Sequence, residues 1–202
     1  MKYQEFKQKI NNPYFSSQDL QLLSLPIYNY QLSLWKKKGY IQHLKRGLYY
    51  FSDTKKQLVS EEISFLLYAP SYISLEQALS RYGIIPDIVH TTTAVTTRTT
   101  RTFTTSDFGT FIYRHVKPEL FFGYTITETP HGKYAMAEPE KALLDYLYFQ
   151  LPHINAPADI EELRINYTEL KAHISQRTLW QYITEFSIAK LEHFTHLILE
   201  QC

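Results

Sequence analysis

The sequence predicts an α+β protein of two domains, and three observations carry that expectation. Residues 26–51 read as a helix, a tight turn and a two-stranded ribbon; the sign of the charge reverses just beyond them; and the rest alternates β-branched runs with amphipathic helical ones. The division is expected at residues 1–56 and 57–202, the second part being a mixed α+β domain with an antiparallel sheet and helices.

Residues 26–51, PIYNYQLSLWKKKGYIQHLKRGLYYF, bring Leu32 and Trp35 within about 40° of Tyr28 on a helical wheel, so this stripe is expected to be buried. Asn29, Tyr30, Ser33, Lys36 and Lys37 fall on the other side, and Leu34 falls with them as the one apolar residue there. Gly39 supplies a left-handed stop, and the three lysines before it complement the negative end of the helix dipole. A strand is expected over 40–44, a turn at Lys45, Arg46 and Gly47, and a returning strand over 48–51. With two short helices in front, this is the order of a winged helix-turn-helix. A helix laid in a DNA major groove would set the hairpin tip over neighbouring phosphates. The candidate DNA contacts are therefore Asn29, Tyr30, Ser33, Lys36 and Lys37 on the helix and Lys45 and Arg46 on the tip. Lysines ending a helix also serve as an ordinary solvated face, and it is the combined order and spacing that points to DNA.

The net charge of +1 conceals a division. Residues 1–56 hold ten Lys or Arg against Glu5, Asp19 and Asp53, a net of +7; the other 146 residues hold 11 against 17, a net of −6. Such asymmetry points to a nucleic-acid-binding end and a separate partner-facing or regulatory end. The single cysteine, Cys202 at an end expected to fray, excludes a disulfide framework and a Cys-based zinc site. No run approaches the roughly 18 apolar residues of a membrane span, and Met1 leads into a polar helix rather than a signal peptide. A cytoplasmic protein with no membrane contact is expected.

In chain order, Tyr3, Phe6 and Ile10 mark a first helix within 2–11, and a capping serine before Leu20 and Leu23 marks a second. Pro26 opens the third. Residues 52–57 are polar and brief and mark the boundary. A helix is expected over 58–68, and another capped by Ser74, burying Leu75, Ala78 and Leu79 and stopped by Gly83. The run 91–105, TTTAVTTRTTRTFTT, reads as a strand or hairpin arm, paired through a turn near 106–109 with a strand at Phe111, Ile112 and Tyr113. More strand follows around Phe121, Tyr124 and Ile126, with turns at Pro130 and Gly132. A helix starts at Glu138, and the last helices are expected over 159–170 and 175–200, with Leu179, Ile183, Phe186, Phe194, Leu197 and Ile198 in the core.

Five blocks taken together, RGLYYF, SYISLEQALSRYGIIPDIV, the Thr/Arg strand ending in Phe103, GTFIYRHVKPELFFGY and AEPEKALLDYLY, resemble the AbiEi family of antitoxins from bacterial abortive-infection systems. The resemblance covers nearly the whole chain. It implies a winged helix that binds double-stranded operator DNA and represses its own operon, and a C-terminal domain that counters a nucleotidyltransferase-like toxin. In this family the antitoxin need not bind the toxin directly. Because one winged helix reads a small site, a pair of molecules on an inverted repeat is the expected binding unit.

Catalysis finds no candidate. Glu138, Glu140, Lys141 and Asp145 cluster at a helix start, yet Lys141 and Asp145 are four apart and Glu138 and Lys141 three apart, the spacing of a surface ion-pair row. His90, His115, His131 and His153 fall in separate elements, and His193 and His196 are three apart on a face expected to be exposed, so neither metal nor cofactor is expected. Arg98 and Arg101 would point to opposite sides of a strand, and with Arg114 and Lys117 they form a candidate contact surface for RNA, DNA or a partner. Two rival readings are a toxin-neutralising interaction module without operator binding and a metal-dependent nucleic-acid enzyme acting through the Glu138 to Asp145 cluster.

Overall fold

The computed structural model describes residues 1–87 and 89–201. Ile88 and Cys202, with the expectation of a frayed C-terminal end, lie outside the described residues. Among the described residues the chain is mixed α+β, and no helix is long and apolar enough to cross a membrane. Its contacts divide it into two compact units, Met1–Ile63 with Pro130–Gly132, and Ser64–Thr129 with Lys133–Cys202.

The first unit runs α1 (Tyr3–Gln8), β1 (Tyr14–Ser16), α2 (Ser17–Leu22), α3 (Asn29–Lys37), β2 (Ile41–Lys45) and β3 (Leu48–Phe51). Its antiparallel sheet has the order β1-β3-β2. Strand β1 is absent from the sequence reading because Ser16 serves two elements. It closes β1 opposite Leu48 and also caps α2, its Oγ accepting from the Asp19 N–H at 3.1 Å while the Asp19 carboxylate accepts from the Ser16 N–H at 2.7 Å. Phe6, Phe15, Leu20, Leu32, Trp35, Ile41 and Phe51 form the core. Phe6 stacks on Trp35 at 4.9 Å and meets Phe15 edge-on at 5.0 Å. Residues Ser52–Gln57, read as a polar break, instead form a 3₁₀ helix in which Asp53 pairs with Lys7 and Thr54 Oγ1 donates to the Phe51 carbonyl at 3.0 Å.

Helix α4 (Ser60–Leu67) runs across the division between the units. The second unit continues with β4 (Ser71–Ile73), α5 (Leu75–Arg81), β5 (Thr91–Thr96), β6 (Arg101–Thr105), β7 (Gly109–His115), β8 (Tyr124–Glu128), β9 (Lys133–Ala137), α6 (Pro139–Gln150), α7 (Tyr167–His173), α8 (Gln176–Phe186) and α9 (Ala189–Leu199). Its sheet has the order β6-β7-β5-β4-β9-β8 and is mixed, not antiparallel as expected: β5 runs parallel to β7, and β4 to β9. The cause is visible in the Thr-rich run, which makes two strands. Phe111 and Tyr113 are both 0% exposed, so β7 takes the inner place beside β5, and the polar β6, with Arg101, Thr102 and Thr104 exposed, is left on the edge. The 106–109 turn is present, with Gly109 at φ +75°.

The two faces of this sheet differ in what covers them. Tyr113 exchanges hydrogen bonds with Ser64 at 2.7 and 3.1 Å, and Tyr72 on β4 donates to Asp145 of α6 at 2.9 Å. The C-terminal helices are shorter than expected. Residues 159–170 are a 3₁₀ helix (Pro157–Leu163) and then α7, separated at Arg164 with φ +52° and restarted by Asn166, whose side chain accepts from the Thr168 and Glu169 N–H groups. Residues 175–200 are α8 and α9, broken at Ser187 with φ +51°. Leu179, Ile183, Phe186, Phe194 and Ile198 are buried, and Leu197 is half-buried.

Candidate nucleic-acid interface

Helix α3 is placed by its buried face. Leu32 and Trp35 enter the core, but the third member of the stripe is Gln31, not Tyr28, which is 62% exposed. Tyr28 sits at the N-cap with extended backbone (φ −100°, ψ 154°), so it never joins the wheel, and the helix begins at Asn29 rather than Pro26. Gln31 is held from both ends: its Oε1 accepts from the Tyr28 N–H at 3.0 Å, and its Nε2 donates to the Met1 carbonyl at 3.0 Å. The other end closes as expected. Gly39, at φ +72°, donates to the Lys36 carbonyl and Tyr40 to that of Trp35, the paired bonds of a Schellman motif.

The opposite face presents Asn29, Tyr30, Ser33, Lys36 and Lys37, all exposed, with Leu34 among them at 44%. The hairpin tip carries Lys45, half-buried, and Arg46, exposed. The tip is anchored: the Ser17 N–H donates to the Gly47 carbonyl at 2.8 Å, and a Cβ on Gly47, which has φ +77°, would stand 3.2 Å from Ser17 Oγ. Between α3 and the hairpin lies a groove of about 270 Å³ lined by Asn29, Leu32, Ser33, Lys36, His43 and Tyr49. His43 had no place in the sequence reading, which weighed histidines only as metal ligands. Partial burial, and then the Lys36 charge, push its pKa below the ordinary histidine value. The groove is thus a cationic slot with hydroxyl and amide donors along one wall.

The second unit places the other residues singled out in the sequence. Lys141 and Asp145 do pair, but in the core: both are 0% exposed, which overturns the surface ion-pair row. Asp145 also accepts from Tyr72 at 2.9 Å and Ser74 at 2.8 Å, and Lys141 donates to the Tyr72 hydroxyl at 2.9 Å. Ser74 therefore stands at the N-cap of α5 without capping it with its side chain. Burial raises the Asp145 pKa and lowers that of Lys141, each opposed by the partner. Glu140 accepts from the Ser175 N–H at 2.7 Å, and Glu138 from the Tyr182 hydroxyl. No group of three or more His, Cys, Asp or Glu that could hold a metal occurs among the described residues.

Arg98 lies in the turn before β6, so strand alternation does not govern it. It and Arg101 sit on the same ring, 4.4 and 5.9 Å from the centre of Tyr68, while Arg114 lies 5.9 Å from that of Phe149 and Lys117 is exposed. No known family profile matches the chain, and no curated protein matches its sequence.

Proposed function

We propose that residues 1–56 form a winged helix-turn-helix, with α3 as recognition helix and the β2–β3 hairpin as wing, and that it binds double-stranded operator DNA. The observation that carries this reading is the exposed polar face of α3 standing across a cationic groove from the hairpin. The strand order β1-β3-β2 with α2 and α3 inserted between β1 and β2 agrees with it, as does the net charge of +7. In this reading Lys36, Lys37, Lys45 and Arg46 neutralise phosphates, and Asn29, Tyr30 and Ser33 face the bases. With the resemblance to the AbiEi family, the chain is then a cytoplasmic repressor and antitoxin. It autoregulates a toxin–antitoxin operon, binds as a pair on an inverted repeat, and counters a nucleotidyltransferase-like toxin through residues 57–202.

The test is Lys36→Ala with Lys37→Ala in the full chain. Losing two phosphate contacts should weaken binding to all duplexes and flatten the slope of log K against log salt by about 1.8. Unchanged affinity and slope would remove α3 from the interface.

A further inference from the structure

The second unit carries 11 Lys or Arg against 15 Asp or Glu, yet four of its cations stand at one end of its sheet. Arg101 lies opposite Tyr113, and Thr96 opposite His115, so the turn between β5 and β6 and the end of β7 meet there. The turn is tied down. The Arg98 N–H donates to Thr96 Oγ1 at 3.1 Å, the His115 N–H donates to Thr100 Oγ1 at 3.2 Å, and the His115 ring bonds the Arg98 carbonyl at 3.0 Å. Arg98 lies over the Tyr68 ring, 4.4 Å from its centre, and donates to the Ala69 carbonyl at 3.2 Å; Arg101 lies 5.0 Å from the centre of Phe103. Among the described residues, Arg98, Arg101, Arg114 and Lys117 make no ion pair with a carboxylate. All four are exposed, the three guanidinium groups lie against aromatic rings, and the protein pairs none of these charges with a carboxylate.

Their distribution selects the ligand. Arg101 shares the face of Tyr113, its cross-strand partner, whereas Arg114, the next residue along β7, points to the other face and the Phe149 ring. Cations on both faces of one sheet end cannot all touch a rigid duplex lying on one side, but a flexible strand can pass around the end. Guanidinium groups mounted on aromatic rings suit such a chain, offering forked donors to phosphate and a flat cationic surface for a base. We infer that the sheet end formed by Arg98, Arg101, Arg114 and Lys117 is a binding site for single-stranded nucleic acid, separate from the α3 face and independent of the operator reading.

Full-length protein is titrated into fluorescein-labelled 15-mers, oligo-U, oligo-dT and a duplex, with anisotropy read at several salt concentrations. Wild type should bind a single strand with a salt slope of about −2.8, four phosphate contacts at about 0.7 each. Arg98→Gln with Arg101→Gln should lose tenfold or more on single strands, halve the slope and leave duplex affinity within twofold. Arg114→Gln on the opposite face, with Lys117→Gln just beyond the end of β7, should do the same, which a local defect around Tyr68 would not. A preference between oligo-U and oligo-dT, abolished by both pairs, would assign the site to RNA or to DNA. The inference is overturned if either pair binds single strands as wild type does, if duplex affinity falls equally, or if a poly-glutamate peptide of the same length displaces the strand at equal charge.

Discussion

The two units handle cations in opposite ways. The first is built on packed aromatic rings, Phe6, Phe15, Trp35 and Phe51, and buries none of its lysines. The second buries Lys141 and Asp145 completely and satisfies them with Tyr72 and Ser74. An aromatic core costs nothing to keep dry, so its surface is free to be patterned with cations. A buried ion pair must first offset the desolvation of both charges, and its worth is largely the penalty of breaking it.

That contrast can be broken from either side. Asp145→Ala leaves the Lys141 ammonium unpaired in the core and should cost the second unit about 3–5 kcal/mol. The apolar double change Lys141→Met with Asp145→Leu should recover most of it. Phe6→Ala should cost the first unit a similar ~3–5 kcal/mol by opening a cavity. Trp35 and Trp180, the chain's two tryptophans, fall one in each unit, so urea titrations of single-tryptophan variants read each separately. Equal destabilisation of both units by Asp145→Ala would contradict the distinction. Ser16→Ala, removing the cap shared by β1 and α2, should cost about 1 kcal/mol, confined to the first unit.

The smallest effect sharpens the groove between α3 and the hairpin. His43 faces Lys36 from α3 and Tyr49 from β3, and its lowered pKa keeps it largely neutral at pH 7 in the free protein. A phosphate in the groove would favour the charged ring, so the bound pKa lies above the free one and binding takes up a proton. Affinity for duplex DNA should therefore rise as pH falls through the pKa of the bound ring and level off below that of the free ring. His43→Gln should remove that gain and change affinity at pH 8 little. A pH profile identical in wild type and variant would place no phosphate beside His43.

What the sequence disclosed follows the range of the forces involved. The α3 stripe at Leu32 and Trp35, the Gly39 stop, the hairpin turns and the cores of α5 and α8 are set by neighbours within a turn or two, and all were legible. Tyr28 was misplaced because a wheel cannot tell where the helix starts. Strand β1 escaped because three residues carry too little alternation, and its last one also caps a helix. The mixed sheet could not be read because strand order depends on which of two Thr-rich strands brings the larger apolar side chains, Phe111 and Tyr113, to the inside. Lys141 and Asp145 have the same spacing on a solvated helix as in a core. Their burial follows from Tyr72 and Ser74, some 70 residues away. At the candidate interface the helix and tip residues were legible from charge and period, whereas His43 gains meaning only beside Lys36.

The central claim is that the α3 face and hairpin bind duplex DNA, and the most direct measurement is anisotropy of the full-length protein on a fluorescent fragment of its own upstream region against a scrambled duplex, over a range of salt. The account predicts tighter binding to the native fragment and a steep salt slope. It also predicts that Lys36→Ala with Lys37→Ala flattens the slope while Arg98→Gln with Arg101→Gln leaves it unchanged. Weak, equal binding to both fragments, insensitive to the α3 lysines, would contradict it.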